Sequence, residues 1–266
     1  MKNKKPIVVL ATVALCFGGL GYYLSTDSKV DSFTKAEVIT DSKYTALKSL
    51  YDLSQEGVPI AMGKLAREYY DGVNIKRNDE KALFWAKRGF EKQDELSTFI
   101  LARMNYYGEA TQADPQKAIQ LLELIKDKKL EYKYILAKIY IEEAKKDKNY
   151  IGKGVELMMS AADEGFPQAQ FEMANTLRFG ELNEDVVLDK QSLLRRSAEY
   201  LAMAAAQDYK PATRQLGLYF YNGIGVKQDT SKGLELLNDA AIKGDTEAAK
   251  ILKAKTFDLE VNSNGN

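Results

Sequence analysis

Hydrophobic and polar positions fall into three regimes along the chain. Residues 6–24, PIVVLATVALCFGGLGYYL, form an apolar run without a single charge, preceded by Lys2, Lys4 and Lys5. Residues 25–40 are polar, rich in Ser, Thr, Asp and Lys, and read as a short tether. From Asp41 onward apolar residues recur at helical spacing, in stripes interrupted by glycine-bearing loops. The expected elements are therefore helices. Scarce proline and abundant Lys, Glu, Ala and Leu favour the same state.

The helical region repeats itself. A leucine-type position recurs at Leu65, Leu101, Leu136, Met173 and Leu216, at intervals of roughly 36, 35, 37 and 43 residues. A small residue always follows: Ala66, Ala102, Ala137, Ala174 and Gly217. Three positions further on come Tyr69, Asn105, Tyr140, Leu177 and Phe220. A loop glycine then stands at Gly72, Gly108, Gly180 and Gly223, whereas the third repeat has Glu143. The second stripe carries small residues at Ala82, Ala118, Gly154, Ala198 and Gly233, and large ones at Trp85, Leu121, Leu157, Leu201 and Leu236. Small beside large lets two helices approach closely. Neither helix can bury its stripe alone, so stacked units share one core.

The ends of the array are legible too. Residues 41–57 read as a lone second helix stopped at Gly57, and 246–259 as a lone first helix; both look like caps. Residues 260–266 read as a disordered tail. The fourth unit is longer, and Glu181 to Arg196 is expected to be an extended loop or a lengthened helix start. The fold class is thus all-α. It is an α/α solenoid of about five helix-pair repeats over 41–259 with half-repeat caps, preceded by one transmembrane helix within residues 1–24.

At about 1.5 Å per residue, the run 6–24 just spans a hydrocarbon core of about 30 Å. The flanking lysines would stay in the cytoplasm, placing the repeats on the periplasmic side of the inner membrane in a single-pass topology. An uncleaved signal anchor is the preferred reading. A signal peptide cleaved before Tyr22, leaving a soluble periplasmic protein, is the alternative. Lipidation at Cys16 is a third, but Leu15 fits a lipobox badly.

The repeat pattern resembles the Sel-like repeat family, a branch of the tetratricopeptide-like helical repeats. The fifth unit carries it best, with Ala212, Leu216, Gly217, Phe220, Gly223, Gly225, Val226, Asp229, Lys232, Ala240, Ala241 and Gly244. The first has Ala61, Leu65, Tyr69, Gly72, Lys81, Ala82, Trp85 and Lys87. The resemblance implies a right-handed superhelix of antiparallel helix pairs acting as an adaptor that assembles complexes. Bacterial members are often exported or envelope-associated, with links to motility, polysaccharide control, host contact and secretion machines.

Charge and chemistry narrow the function. The 38 basic and 38 acidic residues cancel, which offers no excess for a nucleic-acid backbone, so none is expected as a partner. There is no histidine, the commonest general base and zinc ligand. The single cysteine, Cys16, leaves no pair for a disulfide within this sequence. No phosphate-binding loop, dinucleotide glycine pattern or nucleophile elbow occurs, so neither cofactor nor metal nor catalysis is expected.

The chain is therefore read as a membrane-anchored periplasmic scaffold that binds protein partners in the cell envelope. The alternatives are a polysaccharide or peptidoglycan binder and, further off, an envelope hydrolase. The candidate partner-binding residues lie beside the core stripe of the first helices: Tyr70, Tyr106, Tyr107, Tyr219 and Tyr221, with Arg67, Arg103 and Arg178. Lys64, Glu68, Lys138 and Glu142 also lie on first helices and could line the same groove.

Overall fold

The computed structural model describes residues 32–39, 41–179 and 189–264, with side chains as far as Thr256. The apolar run 6–24 lies outside the described residues. Among those described, no helix is long and apolar enough to cross a membrane. The secondary structure described is helical, apart from one isolated antiparallel bridge between Val38 and Ile75. In chain order the helices are α1 (Tyr44–Gln55), α2 (Pro59–Asp71), α3 (Asp79–Glu91), α4 (Glu95–Tyr107), α5 (Pro115–Glu123) and α6 (Leu130–Glu143). They continue as α7 (Ile151–Asp163), α8 (Pro167–Phe179), α9 (Lys190–Ala205), α10 (Lys210–Asn222), α11 (Thr230–Ile242) and α12 (Thr246–Asn264). The result is an all-α repeat solenoid. Even-numbered helices α2 to α10 are the first helices of the five units; α1 and α12 are the half-repeat caps.

The chain divides within α4, after Ile100, into two compact units. In the first, α1 packs on α2, and α2 pairs with α3. Leu65, Ala66, Tyr69, Ala82 and Trp85, the residues of the two stripes, are all buried. In the second, α6 pairs with α7, α8 with α9 and α10 with α11, and each pair packs on the next. Leu136, Met173, Leu201 and Tyr219 are buried there.

The loop between paired helices is built the same way in three units. At the end of α2, Gly72 takes φ +66°, and a Cβ there would also lie 2.8 Å from the Cβ of Arg77. Only glycine meets both conditions without strain. Six residues later the Asn78 amide donates to the Tyr69 carbonyl, and the Asn78 side chain caps α3 by accepting from the Lys81 amide at 2.9 Å. Asp114 and Asp229 do the same for α5 and α11. Such a cap satisfies a helix N–H that has no partner within the helix. The third unit lacks the glycine. There α6 runs out into a turn, and Asp147 caps a 3-10 turn over Lys148–Tyr150 before α7.

The small residues do what their pairing implies. A Cβ on Gly233 of α11 would lie 2.8 Å from the Gly217 carbonyl and 2.7 Å from the Tyr221 amide of α10. A Cβ on Gly154 would lie 3.2 Å from the Ala137 carbonyl. These backbones approach at van der Waals distance, which only small residues on both helices permit.

Two boundaries differ from the sequence reading, and a third is settled between its alternatives. The expected tether is fixed from Ser32 onward. Phe33 stacks against Tyr44 and Tyr51 at 5.9 and 5.6 Å, and the Glu37 carboxylate meets the buried Lys81 ammonium at 2.5 Å. The polar composition concealed this because the strap is held by one ring, one carboxylate and backbone hydrogen bonds. Of the long fourth-unit segment, Lys190 to Arg196 is a lengthened start of α9; residues 180–188 lie outside the described residues. Finally α12 continues to Asn264, past the expected end at 259, since no glycine or proline interrupts it before Gly265.

Candidate functional site

In the second unit the end of α4, the start of α5 and one side of α6 line an open cleft of about 630 Å³. Of these, α4 and α6 are first helices, of the second and third repeats. Ile135 and Ile139, one turn apart on α6, give it an apolar wall. Opposite stand Tyr106 and Tyr107, which meet edge to face with ring centroids 5.0 Å apart at 74°. Tyr107 is 62% exposed. Tyr106 is partly buried; that burial first, then the carboxylates of Glu142 and Glu143, push its hydroxyl above its ordinary range, so it stays a neutral donor.

The lining also carries charge. Glu143 is buried and accepts from Lys146 at 2.9 Å, and Glu142 accepts from Lys145 at 2.7 Å. The other charged residues of the lining, Arg103 and Lys138, are both basic. Lys138 extends over the Tyr134 ring, 5.6 Å from its centre. Burial, with Glu172 nearby, pushes the Tyr134 hydroxyl up to about 12. Glu143 enters the lining through a departure in the repeat, since it stands where the other units carry their loop glycine.

Of the residues singled out in the sequence, the structure brings together Arg103, Tyr106 and Tyr107, with Lys138 and Glu142. It disperses the rest. Tyr70 is 5% exposed, with the Arg77 guanidinium 5.3 Å above its ring. Tyr219 is fully buried, sharing a 2.9 Å hydrogen bond with Ser197. Neither presents a ring to a groove, because the first-helix stripe is wider than one residue and takes in these positions as core. Tyr221 is covered in part by Lys255 of α12, 4.8 Å from its ring centre. Arg67 lies 3.9 Å from Asp71, and Arg178 extends over the Phe179 and Tyr219 rings. The sequence reading missed Ile135, Ile139 and Lys146. Their signal was present: two isoleucines four apart, flanking the exposed Lys138 on the same helix.

The repeated helix pairs and a side-chain-lined cleft between successive first helices define a helical-repeat scaffold. Sequence comparison matches the Sel1 repeat to residues 59–94, 96–128, 167–209 and 210–245, more than half of the chain, and the protein belongs to the Sel1 repeat family. The stretch left unmatched between these repeats, 129–166, holds the third unit, which lacks the loop glycine but folds into the same helix pair. Two solved structures share the fold. A Sel1 repeat protein from Oxalobacter formigenes is 20% identical, with a TM-score of 0.63 over 78% of this chain and 84% of that one. A protective antigen of uropathogenic Escherichia coli with an SLR fold is 22% identical, with a TM-score of 0.61 over 76% of this chain and 42% of that one.

Proposed function

We propose that this protein is a membrane-anchored scaffold on the periplasmic side of the inner membrane, and that the cleft between α4 and α6 takes a segment of an envelope protein partner. Sel1 repeat proteins are generally non-catalytic protein-interaction scaffolds, which supports the reading. The observation that carries it is the placing of an exposed aromatic, Tyr107, in one cleft with the Ile135–Ile139 wall and the basic side chains of Arg103 and Lys138. Such a cleft suits a segment with one large apolar side chain flanked by a carboxylate. An envelope polysaccharide has less support. Rings set at 74° to each other form no flat stacking platform.

A photo-crosslinking amino acid placed at position 107 in cells tests this. A discrete adduct with one envelope protein is expected from 107 but not from the exposed Ile242, and Tyr106→Ala or Arg103→Glu should weaken it. Equal adducts from both positions, or none from 107, would overturn it.

A further inference from the structure

The strap begins close to where the apolar run ends. Only residues 25–31 lie between Leu24 and Ser32. A fully extended chain gains at most about 3.5 Å per residue, so an embedded run keeps Ser32 within roughly 25–30 Å of the bilayer. From Ser32 the chain has no slack, since Lys81 binds both the Ser32 carbonyl and the Glu37 carboxylate, and Tyr69 donates to Glu37. Backbone bonds join the strap to the loop after α2, from the Lys76 amide to the Glu37 carbonyl at 2.6 Å and from the Ile39 amide to the Asn74 carbonyl at 2.9 Å.

This short ribbon leaves two large apolar side chains in solvent, Ile39 at 57% and Val73 at 69% exposure. Neither belongs to a helix stripe. Single exposed apolar residues are ordinary. These two differ because Val73 adjoins the rung that Ile39 makes with Asn74, on the segment that leads to the apolar run. The charges on these segments are mixed, with Lys35, Lys43, Lys76 and Arg77 beside Asp41, Asp71 and Asp79; Arg77 is already paired with Asp79 at 2.7 Å, and Lys35 lies 3.9 Å from Asp41. That mixture favours shallow apolar insertion over electrostatic adsorption.

We propose that the strap clamps the first repeat to the bilayer surface, with Ile39 and Val73 entering the interfacial zone beside the anchor. The proposal rests on the anchored reading above. Two side chains bind a membrane weakly by themselves, but a short tether raises their effective concentration there, so a weak contact suffices. The first repeat would then be held at a set height and orientation instead of swinging on a leash.

The test uses the full chain with Cys16→Ala, reconstituted in vesicles of phosphatidylethanolamine and phosphatidylglycerol containing a spin-labelled lipid. A fluorophore is attached at Val73→Cys or, as the control, at Ile60→Cys. Ile60 is 63% exposed at the other end of α2. Several-fold stronger quenching at 73 than at 60 is expected, and Glu37→Ala, which loosens the strap, should reduce it. Equal quenching at both sites, in a chain that resists alkaline carbonate extraction, would overturn the clamp and leave the anchor intact. Loss of the chain on extraction would instead overturn the anchored reading, and the clamp with it. Shielding of position 73 in native membranes but not in the vesicles would show that a protein covers this face, and would also overturn the clamp.

Discussion

The Tyr69 hydroxyl donates to the Glu37 carboxylate at 3.1 Å, with the Lys81 ammonium 5.3 Å from the centre of the same tyrosine ring. The third repeat contains the same arrangement from different parts. There Tyr140 donates to Glu123 at 2.8 Å, and Lys153 sits 5.8 Å from the Tyr140 ring centre. Tyr69 and Tyr140 are equivalent repeat positions, as are Lys81 and Lys153. Glu123, however, comes from α5, the preceding unit's second helix, whereas Glu37 comes from the strap. The strap thus supplies to the first repeat a carboxylate that a neighbouring repeat supplies further along.

Replacing Glu37 by alanine takes the carboxylate from a lysine whose side chain is 5% exposed and leaves it the Ser32 carbonyl. A buried donor that loses its partner costs roughly 1–3 kcal/mol, and a charged one more, so a loss of about 3 kcal/mol is expected here. Lys81→Met, which keeps the buried stem and removes the charge, should cost less, since Glu37 at 23% exposure can still reach water. Hydrogen exchange at the Ile39 and Lys76 amides is the direct readout. Both should lose protection in Glu37→Ala while the α10–α11 amides keep theirs. Unchanged protection at Ile39 would mean that the carboxylate does not hold the strap.

How much of this was legible in the sequence depends on whether a feature repeats. Leu65, Ala66, Tyr69 and Trp85 recur in kind along the chain, so periodicity alone placed them in the core. Residues used once were not legible. Phe33 and Glu37 sit in a polar stretch with no period, and their partners lie in the helices that follow. Burial of Tyr70 and Tyr219 was misread for a different reason: both adjoin the stripe, and only the packing of neighbouring helices decides how wide the buried face becomes. The cleft was half legible. Arg103, Tyr106 and Tyr107 were readable as off-stripe residues, but their meeting with Ile135 and Ile139 depends on how successive first helices stack.

Two glycines in equivalent second helices should respond in opposite directions. Gly233→Ala would press a methyl against the Tyr221 amide at 2.7 Å and the Gly217 carbonyl at 2.8 Å. Backbone cannot yield cheaply, and overpacking of this kind costs about 1–3 kcal/mol. Gly152 lies within α7, is exposed, and has nothing within 4 Å of where an added methyl would sit. Gly152→Ala should stabilise by about 0.5–1 kcal/mol through lower chain entropy in the unfolded state. Urea denaturation of the two variants beside the parent checks both signs; destabilisation by Gly152→Ala would contradict the open environment assigned to it.

Binding and stability should separate along the line between exposed and buried tyrosines. Tyr107→Ala removes a ring that is 62% exposed and should change stability by less than about 0.5 kcal/mol while weakening partner capture. Tyr219→Phe keeps the packing but breaks the buried bond to Ser197, costing about 1 kcal/mol with no direct effect on the cleft. Thermal unfolding measured beside affinity capture of the partner identified by the position-107 crosslink distinguishes the two. If Tyr107→Ala unfolds the second unit, the ring is structural and the cleft loses its main exposed contact.

Acid should act on the second unit through Glu123. Burial alone would raise this carboxyl, but hydrogen bonds from Lys126 and Tyr140, with the charges of Lys126 and Lys153, outweigh it and hold the group below its ordinary value of 4.5. The unfolded chain therefore takes up the proton first as pH falls. The stabilisation is fully present above 4.5 and drains away as pH drops through the folded value. Tyr140 works from the alkaline side. Burial first, then donation to Glu123, raises its hydroxyl above 10, so its contribution is intact below pH 10 and is lost as pH climbs beyond. Glu123→Gln should flatten the acid limb of a stability–pH curve and weaken the alkaline one. Tyr140→Phe should remove its share of the alkaline limb and lessen the acid slope, since Glu123 then keeps only its lysine partners. Curves that run parallel to the parent at both ends would show that the Tyr140–Glu123 bond is not formed in solution.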